Sequence, residues 1–175
     1  MSGHNKWSQI KHKKAAVDAK KSQIFGKLAR LISLEAKKVK GDVGAPALRA
    51  VIEKARQVNM PNENIERAIK KATETGVSLD SVVYEAYGPG GVAIIIDALT
   101  DNRNRTAPEI KHLLSENDAN LTGQGGAGWA FEKGSGGWQA KTIVDLSDED
   151  LEKLSRLVDK LEEHQDVQEV FTNAS

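Results

Sequence analysis

Apolar residues at helical spacing dominate the first half of the chain. Ile24, Leu28 and Leu31 recur near the 3.6-residue period, while Lys and Arg fill the opposite face. Similar apolar stripes follow at about 46–58 and from about 62 to 76, and Gly, Asn and Pro residues separate them as they do at helix ends. The pattern predicts three short helices joined by turns, which favours a small helical bundle.

The pattern changes at about residue 80, where short runs rich in β-branched residues replace the helical stripes. The predicted elements are, in chain order, strands Ser81–Tyr87 and Val92–Thr100, helix Thr106–Asn117, strands Gly126–Lys133 and Lys141–Leu146, a helix capped by Ser147 that runs to Glu163, and strand Val167–Thr172. From Val92 the order is β-α-β followed by β-α-β. This is the ferredoxin-like arrangement, an antiparallel sheet with two helices on one face. The first strand is then expected to add a hairpin at the edge of that sheet.

We therefore predict an α+β protein with two domains. Residues 1–79 form an N-terminal three-helix basic domain, and residues 80–175 form a ferredoxin-like α+β domain with an antiparallel sheet. A chain of 175 residues is long enough to bury a core in each of two small domains.

Charge is strongly segregated although the formal net charge is zero. Residues 1–40 contain eleven Lys and Arg against two Asp and Glu, a net charge of +9. Residues 80–175 contain eight Lys and Arg against eighteen Asp and Glu, a net charge of −10. A basic end on an acidic body indicates a polyanionic partner that is contacted through that end.

Composition excludes several classes of protein. The chain has no Cys, which rules out disulfides and thiolate chemistry and is typical of the reducing cytoplasm. No apolar run approaches the roughly 18 residues that span a bilayer, so we expect no membrane partner. His4 and His12 are eight residues apart with no carboxylate cluster nearby, which argues against a metal site. His112 and His164 lack a Ser or Cys partner, so we expect neither enzymatic activity nor a cofactor.

The strongest candidate for function is the segment from Gly3 to Lys14, which contains Lys, His and Trp but too few apolar residues for a core. Lysines suit phosphate contacts, and Trp7 can stack on a base. The alternative is a solvated charged terminus whose Trp7 packs on its own domain. The predicted nucleic-acid-binding residues of this segment and the following helix are Lys6, Trp7, Lys11, His12, Lys13, Lys14, Lys20 and Lys21.

A second candidate is the polar stretch Asp101–Arg105, between a buried strand and a helix. Arg103 and Arg105 are suited to bidentate phosphate or base contacts. An ordinary polar turn, in which Asp101 pairs with a neighbouring arginine, accounts for the stretch equally well. The glycine-rich runs at 88–91 and 123–128 do not open a helix with a following Lys-Ser/Thr, so tight turns explain them better than phosphate binding.

Four blocks of sequence resemble successive blocks of the YebC/PmpR family. They are GHNKWSQIKHKKAAVDAKKSQIFGKLAR (3–30), NMPNENIERAIKKA (59–72), YEAYGPGGVAIIIDALTDNRNRT (84–106) and DVQEVFTN (166–173). The resemblance implies a helical N-terminal domain, an α+β body and a cytoplasmic regulator of gene expression without known catalysis. Family members are described as probable transcriptional regulators that bind DNA. Others, including mitochondrial translational activators, act on translation at the ribosome. Carried over by position, the functional segments are Gly3–Lys21 and Asp101–Arg105.

The chain departs from the family pattern in one place. Typical members have a further α+β domain after the FEKxG strand, whereas here Gly134–Ser135–Gly136–Gly137 leads almost directly into the last part of the chain. Because Gly-Ser-Gly-Gly is also the composition of a flexible linker, a natural short form and an engineered deletion are both compatible with it. We expect the two flanking strands to form a hairpin that closes the body.

Three partners follow from these observations. The leading prediction is DNA, bound by a transcriptional regulator. The first alternative is ribosomal RNA or tRNA on the ribosome, bound by a translation factor. The second alternative is a ribosomal or regulatory protein that docks on the acidic α+β body, with the basic segment only increasing the encounter rate.

Overall fold

The computed structural model describes residues 6–7, 19–76 and 78–175. The helices are α1 (Ala19–Lys38), α2 (Pro46–Gln57), α3 (Asn62–Glu74), α4 (Arg103–Ser115) and α5 (Asp148–Glu163). The strands are β1 (Asp80–Tyr87), β2 (Ala93–Thr100), β3 (Asn120–Thr122), β4 (Phe131–Gly134), β5 (Gly137–Ala140) and β6 (Val167–Thr172). This order confirms the α+β class, with helices first and an antiparallel sheet after them. None of the helices in the described ranges is long and apolar enough to span a bilayer.

The three N-terminal helices enclose a core of their own, as the apolar stripes predict. Ile32 of α1, Leu48 and Ile52 of α2, and Ile65 of α3 are all buried in it. Pro46 stands at the start of α2, where its missing N–H leaves no intrahelical bond unmade. The helical stripes therefore predict this part of the fold correctly.

The main sheet has four antiparallel strands in the order β3-β1-β2-β6. Its central strand β2 is apolar on both faces and almost entirely buried. Ile94 and Ile96 lie in one core with residues of α4 and α5, while Ile95 lies in a smaller core with Phe131 and Trp138 of β4 and β5. The C-terminal part is thus three layers deep, with two helices on one face of the sheet and the β4–β5 hairpin on the other.

The strand pairing differs from the ferredoxin-like prediction. The pairing of β2 with β6 and the two helices on one face are as expected. However, the other neighbour of β2 is β1, which was expected at the sheet edge and instead lies between β2 and β3. The short 88–91 turn makes β1 and β2 a local hairpin paired over eight residues, and such a pairing closes a much smaller loop than a distant strand would.

Two predicted strand ranges are also wrong. Of the predicted strand Gly126–Lys133, only residues 131–133 belong to a strand, because the backbone N–H groups of Ala127 and Gly128 donate to the carboxylate of Glu85 instead of a neighbouring strand. The predicted strand at 141–146 is reduced to a single bridge between Val144 and Ala174. Its place as partner of β4 is taken by β5.

The glycine-rich turn at 134–137 closes the β4–β5 hairpin, which confirms the predicted hairpin. Gly134 pairs with Gly137, and Trp138 Nε1 donates to Asp97 Oδ1 of the sheet at 3.2 Å. Gly137 has a φ of +106°, and a Cβ there would lie 2.9 Å from the ring of Phe171. A side chain at this position would therefore separate the hairpin from the sheet.

Candidate nucleic-acid interface

The described residues of the basic N-terminal segment lie against the α+β body. Lys6 forms an ion pair with Asp148 in the first turn of α5. Trp7 is partly buried and packs against the core between the sheet and the helices. In this arrangement Trp7 has a packing role, and its stacking on a base stays a prediction.

The start of α1 also faces α5. Lys20 Nζ lies 4.0 Å from Asp159 Oδ1, and both side chains are about 30% exposed (31% and 29%). Lys21 is exposed at the surface of α1. Ion pairs with this much access to water contribute at most about 1 kcal/mol, so phosphate groups can replace the carboxylates at little cost. Lys11, His12, Lys13 and Lys14 lie outside the described residues.

The two arginines of the 101–105 stretch have different surroundings. Arg103 lies at the start of α4, is 60% exposed and forms one ion pair, from Nε to Asp80 Oδ2 at 3.3 Å. Arg105 contacts three carboxylates, those of Asp101 at 3.1 Å, Glu109 at 3.1 Å and Asp166 at 2.8 Å. The hydrogen bond from Arg105 lowers the pKa of Asp101 below its ordinary value. Arg103 therefore remains accessible to a ligand, whereas Arg105 is engaged within the protein.

Asp166 is the centre of a clamp that joins the helical part to the body. Its carboxylate is fully buried and accepts hydrogen bonds from Arg30 Nη2 at 2.8 Å, Arg105 Nη2 at 2.8 Å and Thr106 Oγ1 at 2.7 Å. Arg30 belongs to α1, and it also donates to the backbone oxygen of Leu99 at 2.9 Å. A single buried carboxylate thus fixes α1 against β2 and α4.

Glu109, His164 and Asp166 bring three possible metal-ligand atoms within 4.8 Å of one another. The two carboxylates already have cationic partners, because Arg105 contacts both and Arg30 also contacts Asp166. His164 Nδ1 accepts from the backbone N–H of Asp166 at 3.1 Å, and Nε2 lies 2.7 Å from Glu109 Oε2. Each of the three groups therefore has a hydrogen-bond partner that explains its position without a metal ion.

A carboxylate on β1 organises the glycine-rich loop at 123–128. Glu85 accepts backbone hydrogen bonds from Gly125 at 2.9 Å, Ala127 at 2.9 Å and Gly128 at 2.6 Å. A Cβ on Gly126 would lie 1.8 Å from Thr122 Oγ1, so the turn requires glycine there. The loop does resemble an anion-binding nest, but the anion it holds is the protein's own carboxylate.

Replacing Glu85 by glutamine is expected to lower thermal stability at pH 7, and this effect should become smaller as the pH falls below the ordinary carboxyl pKa. Burial would raise the pKa of Glu85, but the three backbone hydrogen bonds outweigh it and hold the pKa below the ordinary value. Because the folded pKa is below the unfolded one, the stabilisation is present above the unfolded pKa and is lost as pH falls through the folded pKa.

The measurement is the difference in Tm between the wild type and Glu85→Gln at several pH values. Glu132→Gln, an exposed change on β4, serves as the matched control and should leave Tm unchanged throughout. A Tm difference for Glu85→Gln that stays constant from pH 7 to pH 3 would contradict the assigned role of the carboxylate.

The sequence contains little local signal for these contacts. Arg30 and Asp166 are 136 positions apart, and Glu85 and Gly128 are 43 apart. Glu85 stands in an ordinary strand pattern, and Asp166 follows α5 in a short polar turn.

Comparison with known proteins gives matches along nearly the whole chain. The model of the TACO1/YebC protein N-terminal domain matches residues 5–75. The model of the TACO1/YebC second and third domain matches residues 79–136 and 135–174, two segments that meet in the β4–β5 turn.

Individual relatives agree with these models. A "probable transcriptional regulatory protein" of Fervidobacterium nodosum is 51% identical over 152 residues, covering 85% of this chain and 60% of the relative. A protein of the same description from Thermotoga maritima is 48% identical over 161 residues, covering 90% of this chain and 61% of the relative. The chain thus spans about 60% of the length of these curated relatives.

A solved structure has a similar fold. The crystal structure of a conserved hypothetical protein from Aquifex aeolicus superposes with a TM-score of 0.81 at 30% sequence identity, covering 92% of this chain and 93% of that one.

Proposed function

Because the chain belongs to the TACO1/YebC family, we propose that it is a cytoplasmic, non-enzymatic regulator of gene expression that binds nucleic acid through its basic N-terminal segment. The observation that carries the proposal is the segregation of charge. A net charge of +9 over residues 1–40 adjoins a net charge of −10 over residues 80–175. A polyanion is attracted to the first region and repelled by the second, which orients the protein on its ligand.

The main contacts in this proposal are between lysines and phosphates. Their contribution is the release of condensed counterions, which makes affinity steeply dependent on salt and nearly independent of sequence. The lysines assigned to it are Lys6, Lys11, Lys13, Lys14, Lys20 and Lys21. Lys6 and Lys20 exchange a solvent-accessible carboxylate partner on α5, Asp148 or the partly exposed Asp159, for a phosphate, and this exchange costs little.

Within the 101–105 stretch the proposal assigns a ligand contact to Arg103 alone. Its guanidinium is exposed and has one exposed carboxylate partner. Arg105 is assigned to the clamp around Asp166, since moving it to a phosphate would leave a fully buried carboxylate with fewer donors.

DNA is the proposed ligand because the curated relatives carry the description of probable transcriptional regulators. Binding of the purified protein to a random DNA duplex and to ribosomes, side by side at physiological salt, separates this from a role in translation. Tight duplex binding without ribosome association is the expected result. Ribosome association with only weak duplex binding would reassign the protein to translation, and failure to bind either would contradict the proposal.

A further inference from the structure

A groove with a volume of about 400 Å³ lies where α1 and α3 meet the start of the α+β body. Its apolar lining includes the aromatic ring of Phe25, the thioether of Met60 and the side chain of Leu79. This volume falls within the range of about 300–1,000 Å³ that is usual for small-ligand sites. The surface can therefore enclose one flat, largely apolar group.

The groove is also strongly cationic. Arg67 and Lys71 stand one turn apart on α3, and both are exposed. Neither side chain has an ion-pair or hydrogen-bond partner within the described parts of the chain. Like charges at i and i+4 destabilise a helix by roughly 0.2–0.5 kcal/mol, and no carboxylate of the described residues forms an ion pair with either side chain. Lys37, Arg30 and Asp101 also line the groove, but Arg30 is paired with Asp166 and Asp101 with Arg105, so Arg67 and Lys71 are its main cations.

An amide group completes the lining. The side chain of Asn64 is partly buried and makes no hydrogen bond among the described residues. Asn carries both a donor and an acceptor, which is the combination that recognises the edge of a nucleobase. The hydroxyl of Ser33 is not available for this, because it donates to the backbone oxygen of Ala68 at 3.0 Å.

We propose that this groove binds one unpaired nucleotide, with the base in the apolar part beside Phe25 and Met60, and the phosphate at Arg67 and Lys71. Asn64 contacts the base edge. A paired base cannot enter such a groove, whereas an unstacked one can, so the site selects single-stranded over duplex regions. The inference rests on the proposed function in that the nucleotide belongs to a bound nucleic-acid strand. A free nucleotide would make the same contacts, and the test distinguishes it from a nucleotide within a strand.

The test compares the wild type with the double variant Arg67→Glu/Lys71→Glu. Fluorescence anisotropy at physiological salt reports binding to a single-stranded DNA of about ten nucleotides and to a DNA duplex of the same sequence. The expected loss is at least about 4-fold for the single strand, because one lost phosphate contact at a slope of about −0.7 in log affinity against log salt amounts to roughly 0.6 logarithmic units at about 0.15 M salt. Binding of this variant to the duplex should weaken by no more than the binding of the control variant does.

The control is Arg49→Glu/Lys54→Glu, which makes the same charge change at two exposed positions on α2 outside the groove. A charge-neutral variant, Asn64→Leu, should also weaken single-strand binding and leave duplex binding unchanged. Equal effects of Arg67→Glu/Lys71→Glu and its control on the single strand would overturn the groove as a site. Equal losses for single strand and duplex would overturn it too.

Adenosine monophosphate distinguishes the two sources of the nucleotide. Calorimetric binding of adenosine monophosphate that is lost in Arg67→Glu/Lys71→Glu assigns the groove to a free nucleotide, and single-strand binding alone assigns it to a strand.

If the wild type binds no nucleic acid, the proposed function fails while adenosine monophosphate still tests the groove. If neither binds, both fail. Single-strand binding that depends on Lys11, Lys13 and Lys14 but not on Arg67 and Lys71 overturns the groove only.

Discussion

Reversing Lys11, Lys13 and Lys14 to glutamate is expected to weaken binding to a DNA duplex by about 100-fold at physiological salt. Each lysine–phosphate contact contributes a slope of about −0.9 in log affinity against log salt, so three lost contacts at about 0.15 M salt amount to roughly two logarithmic units. Repulsion by the three new carboxylates adds to this loss. Fluorescence anisotropy with a labelled random-sequence duplex measures the change.

The matched control is Lys111→Glu/Lys141→Glu/Lys160→Glu. It changes the net charge by the same amount at three exposed positions of the acidic half. If net charge alone governs binding, the two triple variants lose affinity equally. The proposal requires the N-terminal variant to lose at least ten times more than the control, and similar losses would refute it.

Replacing Asp166 by alanine is expected to destabilise the protein by about 3 kcal/mol, because the two guanidinium groups and the hydroxyl around it lose their common acceptor. Arg30 and Arg105 retain some access to water, with exposed side-chain fractions of 24% and 33%, which keeps the loss at the lower end of the range for buried ion pairs. For a chain of this length, Tm should fall by roughly 6–12 °C.

Asp80→Ala is the control for this substitution. It removes the carboxylate of an exposed ion pair with Arg103, so its expected cost is below about 1 kcal/mol. Asp166→Asn keeps the shape of the side chain and one acceptor oxygen, and should fall between the two. Thermal unfolding followed by circular dichroism gives all three values. Equal Tm changes for Asp166→Ala and Asp80→Ala would show that the clamp contributes nothing.

Local patterns account for the parts of the fold that could be predicted. The apolar stripes determine α1, α2 and α3 because each helix must bury one face, and Ser147 caps α5 by accepting from the backbone N–H of Asp150 at 3.1 Å. The run at β2 is apolar on both faces, which only a central strand can bury. These signals depend on residues within a few positions of one another.

Pairings between distant residues account for the errors. The glycine-rich loop was expected to continue into a strand, but Glu85 on β1 takes its backbone N–H groups. The order of strands in the sheet was decided by the short β1–β2 turn rather than by the β-α-β pattern. A short window of sequence reveals neither the acceptor of these N–H groups nor the neighbour of β2. Both depend on which residues lie close together in the folded protein.

The same distinction applies to the candidate interface. The basic segment was found because its lysines are clustered in sequence. Within residues 101–105, the sequence gives no reason to distinguish Arg103 from Arg105. The structure distinguishes them, because Arg105 faces three carboxylates. The groove between α1 and α3 was not predicted, since its lining comes from four separate segments of the chain.

The most direct test of the central claim is the salt dependence of binding by the unaltered protein. Affinity for the preferred nucleic acid should be measured between about 50 and 300 mM salt. Four to six phosphate contacts predict a log-log slope between about −3.5 and −5.5 on a DNA duplex. A slope near zero, or no measurable binding at the lowest salt concentration, would contradict a nucleic-acid interface built from the N-terminal lysines.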